Sequence, residues 1–185
     1  MALPSTVYKA RLQVADMDRH YYADHALTIA RHPSETDERM MVRVLAYALH
    51  ASDTLAFGRG LSAENEPDLH ETDLTGAIRK WIDVGLPDEK TVRKASGRAE
   101  QVFVYAYGRA ADVWWDGNRK GLQRLDALTV VQLAPDTTRA LADMAERTMQ
   151  LQCNIQDGDI WLNNGELNVE ILRTTLCAPR VVVPH

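Results

Sequence analysis

The run Trp81-Ile82-Asp83-Val84-Gly85-Leu86-Pro87 constrains this chain most, because it sets a carboxylate inside an apolar, strand-like segment. A charge withdrawn from water in such a place is expensive unless a cation or a metal stands beside it. Candidates flank the run in sequence: Glu66-Pro67-Asp68 comes before it, and a basic helix carrying Lys94 follows Pro87. Acid, acid and lysine around one strand are the parts of a metal-dependent phosphodiesterase.

The rest of the chain reads as an α/β domain. Tyr8, Ala10, Leu12 and Val14 alternate with Lys9, Arg11 and Gln13, the period-two pattern of a half-buried strand. After the polar turn Asp16–Arg19, Tyr22–Ala30 reads as its hairpin partner. A helix is expected from Ser34, where Ser34 and Asp37 have capping spacing and Met41, Val42, Leu45 and Leu49 form an apolar stripe. Leu55–Gly60 suits a strand, Ala63–Asp73 an acidic connection, and Ile78–Val84 a strand closed by Gly85-Leu86-Pro87. Pro87 and Asp88-Glu89 then open a helix to about Gly97.

Val102–Tyr107 is apolar on both faces, as a central strand covered on both sides must be. Ala110–Asn118 is expected to be helical, Leu128–Leu133 a buried strand, and Asp136–Glu146 a further helix. From Met149 the pattern alternates again, and Asp157-Gly158 and Asn164-Gly165 are hairpin turns, giving a three-stranded meander that finishes near Ile171. The expectation is one domain over residues 1–185: a mixed central sheet flanked by helices, with an N-terminal hairpin and a C-terminal β-meander.

Bulk properties narrow the function. The net charge of −5 excludes a protein that coats nucleic acid non-specifically, although it leaves room for a local basic groove. No run of about 18 apolar residues spans a membrane, and Met1–Leu12 lacks the apolar core of a signal peptide. Cys153 and Cys177 have no metal-ligand spacing and are expected to be reduced thiols in a cytoplasmic protein. His20, His25, His50 and His70 show no paired spacing for zinc, and no glycine-rich loop cradles a nucleotide. Trp114-Trp115 could stack on bases or pack in the core.

The chain resembles the YaeQ family along essentially its whole length. The resemblance is carried by Met1-Ala2-Leu3, Ala30-Arg31-His32-Pro33-Ser34-Glu35-Thr36, Glu38-Arg39-Met40-Met41 and Gly58-Arg59-Gly60-Leu61. It continues through Glu66-Pro67, Gly85-Leu86-Pro87-Asp88-Glu89, Lys94-Ala95, Arg147-Thr148-Met149 and Ile155-Gln156-Asp157-Gly158. What this implies is a restriction-endonuclease-like core, similar to the PD-(D/E)XK nucleases, with an altered active site.

Nucleases of that group place one acid at the start of a strand and an acid plus a lysine on the next, the carboxylates holding a divalent ion. Pro67-Asp68 reads as the first acid with Glu66 beside it, and Asp83 as the strand acid. Position 85, where the lysine would follow, is glycine; Lys94 is similarly placed to lysines that relatives carry on the following helix. Glu38 borders the apolar stripe of the first helix and matches supporting helix carboxylates. Each residue also has an ordinary reading: Asp68 in a turn, Asp83 capping a helix, Lys94 on a solvated face, Glu38 paired with Arg31 or Arg39.

The resulting expectation is a phosphodiesterase using Mg²⁺ or Mn²⁺ on DNA or RNA, with Glu66, Asp68 and Asp83 as ligands and Lys94 and Glu38 assisting. The alternative is a non-catalytic module that holds nucleic acid or a protein on a degenerate nuclease scaffold. In geometric terms, Asp83 is expected within reach of Glu66 or Asp68 and of Lys94.

Overall fold

A computed structural model describes residues 4–59 and 65–180. Gly60, at the end of one expected strand, and Ala63, at the start of the acidic connection, lie outside those residues. The elements run β1 (Thr6–Asp16), β2 (Tyr21–Arg31), α1 (Asp37–His50), β3 (Leu55–Phe57), β4 (Leu69–Thr72), β5 (Ile78–Val84), α2 (Glu89–Ser96) and β6 (Ala99–Ala106). Then come α3 (Ala111–Leu122), β7 (Leu128–Leu133), α4 (Pro135–Ala142), β8 (Thr148–Gln156), β9 (Asp159–Asn163), β10 (Asn168–Glu170) and β11 (Arg173–Cys177).

The fold is mixed α/β, but it has two mixed sheets where one was expected. The first has the order β10-β9-β8-β1-β2 and the second β11-β7-β6-β5-β4-β3. The hairpin and the meander are both present. They join each other instead of extending the central sheet, because β1 pairs with β8 in parallel, Leu12 opposite Leu151. In the second sheet β5, β6 and β7 run parallel, while β3 and β4 are added antiparallel.

The layers follow from side-chain parity. Ile82 and Val84 of β5 and Tyr105 of β6 share one core with α1, Leu141 of α4, and Leu12 and Leu151 of the first sheet. Helices α1 and α4 pack together in that core, between the sheets. The opposite parity, Trp81, Val102, Val104 and Val130, packs under Val92 of α2 and Leu122 of α3. A helix between two sheets needs an apolar surface all round, and α1 is buried continuously from Met40 to Ala48. The stripe expected from Met41, Val42, Leu45 and Leu49 was therefore too narrow.

Several boundaries differ for identifiable reasons. Thr36, and not Ser34, caps α1: its extended backbone lets the side chain accept from the Arg39 N–H at 3.1 Å. Ser34 instead bonds the His32 ring, Oγ to Nδ1 at 2.6 Å. Helix α3 runs past Asn118 to Leu122, and α4 ends at Ala142, short of Glu146. The acidic connection contains β4, whose residues pair with β5. After the meander the chain crosses to the second sheet as β11, antiparallel to β7.

Gly58 sets how closely the chain can pack where β3 meets Pro67-Asp68. A Cβ there would lie 1.9 Å from the carbonyl oxygen of Pro67, and the Gly58 N–H donates to the Asp68 carbonyl at 2.8 Å. Only glycine lets the Pro67-Asp68 backbone lie this close to the end of β3. Among the described residues, no helix is long and apolar enough to cross a membrane. Gly58→Ala is expected to destabilise the fold by about 1–3 kcal/mol, the usual cost of forced overpacking, read as a lowered urea midpoint with an unchanged m-value.

Candidate functional site

The site lies where β5 and β6 end at their C-termini, the edge at which open α/β sheets bind ligands. Two elements deliver its acids. Asp83 is the penultimate residue of β5, and Asp68 immediately precedes the antiparallel neighbour β4. Both are 7% exposed. The Asp68 N–H donates to Asp83 Oδ1 at 3.4 Å, and Trp81 Nε1 donates to Asp83 Oδ2 at 3.0 Å. Asp68 Oδ2 accepts from the Val84 N–H at 2.8 Å, which ties it to the strand that carries Asp83.

The cation at this pair comes from α1. Arg39 Nη2 donates to Asp68 Oδ1 at 2.8 Å, and its Nη1 donates to Glu35 Oε2 at 2.6 Å. Glu35 is in turn held by Arg43, through Nε at 3.0 Å and Nη2 at 2.5 Å. Arg43 is 1% and Glu35 3% exposed. Arg39 and Arg43 are four apart on one face of α1, and Glu35, just before the Thr36 cap, lies between their guanidinium groups, so the relay runs from the core to the sheet edge.

The electrostatics are unbalanced. Three buried carboxylates, Glu35, Asp68 and Asp83, face two guanidinium groups, Arg39 and Arg43. The shortfall appears on Asp83, whose pKa is raised to about 6, chiefly by burial and then by the Asp68 charge; the Trp81 and Asp68 donors and Arg39 oppose the rise. Tyr107, just beyond β6, is pushed up to about 12 by burial, with Glu38 and Glu35 adding to the rise and Arg39 opposing it.

The expected site residues divide accordingly. Asp68 and Asp83 converge. Glu66 is exposed and lies 3.6 Å from Arg59, and among the described residues it shares no hydrogen bond with Asp68 or Asp83. Glu38 is half-buried on α1 near Tyr107, at the margin of the relay. Lys94 is exposed on α2 and, among the described residues, makes no ion pair with either acid; it borders a recess walled by Trp81. Trp114 and Trp115 pack against the core beneath α2 and α3.

Sequence reading missed Glu35, Arg39 and Arg43. The available signal was Arg43 itself, a guanidinium flanked by Met40, Met41, Val42, Val44 and Leu45 with an acid eight residues earlier. The position of the missing strand lysine also has a backbone reason: Gly85 has φ +103°, a region that favours glycine.

The raised Asp83 pKa makes a stability prediction. Between the ordinary carboxylate value and about 6, the folded state binds more protons than the unfolded state, so this group's contribution to stability falls as pH rises through that window. Asp83→Asn removes the titration. Its stability relative to wild type is expected to improve by about 2–3 kcal/mol from about pH 4 to about pH 8, measured by denaturant titration at both ends.

Comparison with known proteins places the chain. Residues 1–173 match the family described as YaeQ protein. The sequence is 46% identical over 180 residues to the YaeQ protein of Salmonella typhi and 43% identical to that of Escherichia coli K12. Each match covers 97% of this chain and 99% of the relative, and neither relative's name states an activity. The fold superposes on the crystal structure of the YaeQ protein from Xanthomonas axonopodis pv. citri with a TM-score of 0.91 at 46% identity, covering 95% of this chain and 99% of that one. For the YaeQ protein from Pseudomonas syringae the TM-score is 0.92 at 37% identity, with 96% and 98% covered. With identity of this order over nearly the full length, the chain belongs to the YaeQ family.

Proposed function

We propose that this protein is a divalent-metal-dependent phosphodiesterase acting on nucleic acid, built on a restriction-endonuclease-like core. One observation carries the reading: two carboxylates from adjacent strands converge at the sheet edge with one more negative charge than their cations neutralise. The reading is supported by chain order, with Asp68 just before β4 and Asp83 on the next strand, β5.

The donor set fits Mg²⁺ or Mn²⁺. Both ions take oxygen ligands, and Mg²⁺ is commonly bound by one or two carboxylates plus waters. Each carboxylate has about four lone-pair sites, and the four oxygens of Asp68 and Asp83 each accept one donor from within the chain. Capacity for an ion therefore remains. Bound there, the metal would supply an activated water and charge stabilisation at the phosphate.

The chain's own residues do the positioning. Arg39 and the Val84 N–H fix both oxygens of Asp68, while Trp81 and the Asp68 N–H fix those of Asp83. Such outer partners orient ligands before an ion arrives. Asp83 must be ionised to act, so metal binding competes with a proton below about pH 6. Glu38 and Tyr107 stand at the margin, where an outer carboxylate and a hydroxyl can hydrogen-bond water.

A second reading, a non-catalytic module that holds nucleic acid or a protein, is favoured by Gly85 standing where the strand lysine would be. Calorimetric titration separates the two. Mn²⁺ is expected to bind wild type at neutral pH, more weakly below about pH 6, and not to bind Asp83→Ala. Glu66→Gln is expected to bind like wild type, since Glu66 stands outside the pair. DNA or RNA cleavage should disappear in Asp83→Asn. Absence of heat with Mg²⁺ and Mn²⁺, or cleavage that survives Asp83→Asn, hands the case to the second reading.

A further inference from the structure

Lys94 belongs to a feature of its own. A recess of about 390 Å³ opens on the α2 side of the second sheet, lined by Asn65, Trp81, Thr91, Lys94, Gly97 and Arg98. Its α2 wall is basic in an acidic protein: residues 88–98 carry Lys90, Arg93, Lys94 and Arg98 against Asp88 and Glu89, whereas the whole chain has a net charge of −5. Both acids are engaged locally, Asp88 as the cap of α2, accepting from the Thr91 N–H at 2.7 Å, and Glu89 in an ion pair with Arg93. Lys94 is exposed and, among the described residues, has no hydrogen bond or ion pair within the chain.

Arg98 is held in place. Its guanidinium lies over the Trp81 ring, 5.1 Å from the centroid, and Nη1 donates to the Asn65 carbonyl at 3.2 Å. A stacked, tethered guanidinium with donors to spare is preorganised for a phosphate, and a flexible lysine beside it supplies a second point charge. Trp81 connects this recess to the acid pair. The same indole that forms its wall donates to Asp83 Oδ2 at 3.0 Å, so one ring separates the recess from the site.

We propose that this recess holds a backbone phosphodiester of the nucleic-acid strand, next to the one presented to Asp68 and Asp83, with Lys94 and Arg98 as its two cationic contacts. This role rests on the phosphodiesterase reading of the acid pair. It gives Lys94 the task of seating the strand, in place of assisting water at the metal. The recess also supplies what a chain of net negative charge needs to bind a polyanion, a local cationic seat beside its acids.

The test uses the full chain, a fluorescein-labelled single-stranded DNA oligonucleotide and excess chelator, so that binding is measured without metal. Lys94→Gln and Arg98→Gln are each expected to weaken binding several-fold and to lower the slope of log affinity on log salt by about 0.7 per cation removed. Arg11→Gln, an equal charge change on the exposed face of the first sheet, is expected to match wild type. Lys94→Gln carries the test by itself if Arg98→Gln melts early, because Lys94 is exposed and unbonded. Equal losses in all three variants, or none, overturn the recess. So does inorganic phosphate that binds while the oligonucleotide does not. Mn²⁺ titration of the same variants keeps the two readings apart: an unchanged isotherm with unchanged oligonucleotide affinity refutes the recess alone, and an absent isotherm refutes the metal site alone.

Discussion

The carboxylate of Glu35, clasped between Arg39 and Arg43, is the contact on which the rest of this structure depends. Helix α1 lies in the layer between two sheets, and it carries the guanidinium of Arg43, 1% exposed, into the centre of that layer. Without a counter-charge, an arginine there would oppose the assembly of both sheets around the helix. Removing one partner of a buried ion pair typically costs about 3–5 kcal/mol, a large part of the total stability of a domain. Arg43 also donates to the Ala30 carbonyl of β2 at 3.1 Å, so the pair ties α1 to the first sheet while Arg39 ties it to the second.

A buried ion pair is weak evidence that charge was retained for stability, since well-packed apolar residues can do as well. The relay here ends at the acid pair of Asp68 and Asp83, in which Asp83 is destabilised by its own surroundings. Burial and the Asp68 charge raise the Asp83 pKa to about 6, so near neutral pH the fold carries an ionised carboxylate at a cost. Perturbed groups of this kind concentrate at functional sites. Glu35 and Arg39 make the cost tolerable by fixing Asp68, and they leave Asp83 short of a cation.

How much of this was legible depended on the range of the interaction. Periodicity and turn chemistry located the N-terminal hairpin, β5, β6, β7 and the meander, because these signals are local. Two sheets in place of one came from the parallel pairing of β1 with β8, residues about three quarters of the chain apart, for which no local pattern exists. Strand β4 was hidden because Leu69-His70-Glu71-Thr72 is short and mostly polar, and β11 because Arg173-Thr174-Thr175 shows no alternation at a sheet edge. In the site, Asp83 betrayed itself as an acid in an apolar strand, and Asp68 was singled out by the Pro67-Asp68 pair that the family resemblance brought forward. Arg39 was overlooked because an arginine two residues after an N-terminal acid looks like a solvated first turn. Only its alignment with Glu35 and Arg43 at intervals of four separates it from that reading.

The glycine at position 85 shows why the cations lie where they do. A lysine two residues after Asp83 would have to adopt φ +103°, although nothing within 4 Å would obstruct its Cβ. The obstacle is the backbone and not space. The turn it makes returns the chain through Leu86 and Pro87 to α2, and the Gly85 N–H donates to the Tyr105 carbonyl at 2.9 Å, closing β5 against β6. With that position committed to the turn, positive charge has to enter from the flanking helices. Arg39 does so from α1, directly on Asp68, and Arg98 does so just past α2, across the Trp81 ring. The consequence is a division of labour along one strand end: the α1 side organises the carboxylates, and the α2 side presents its cations to solvent with one indole between them.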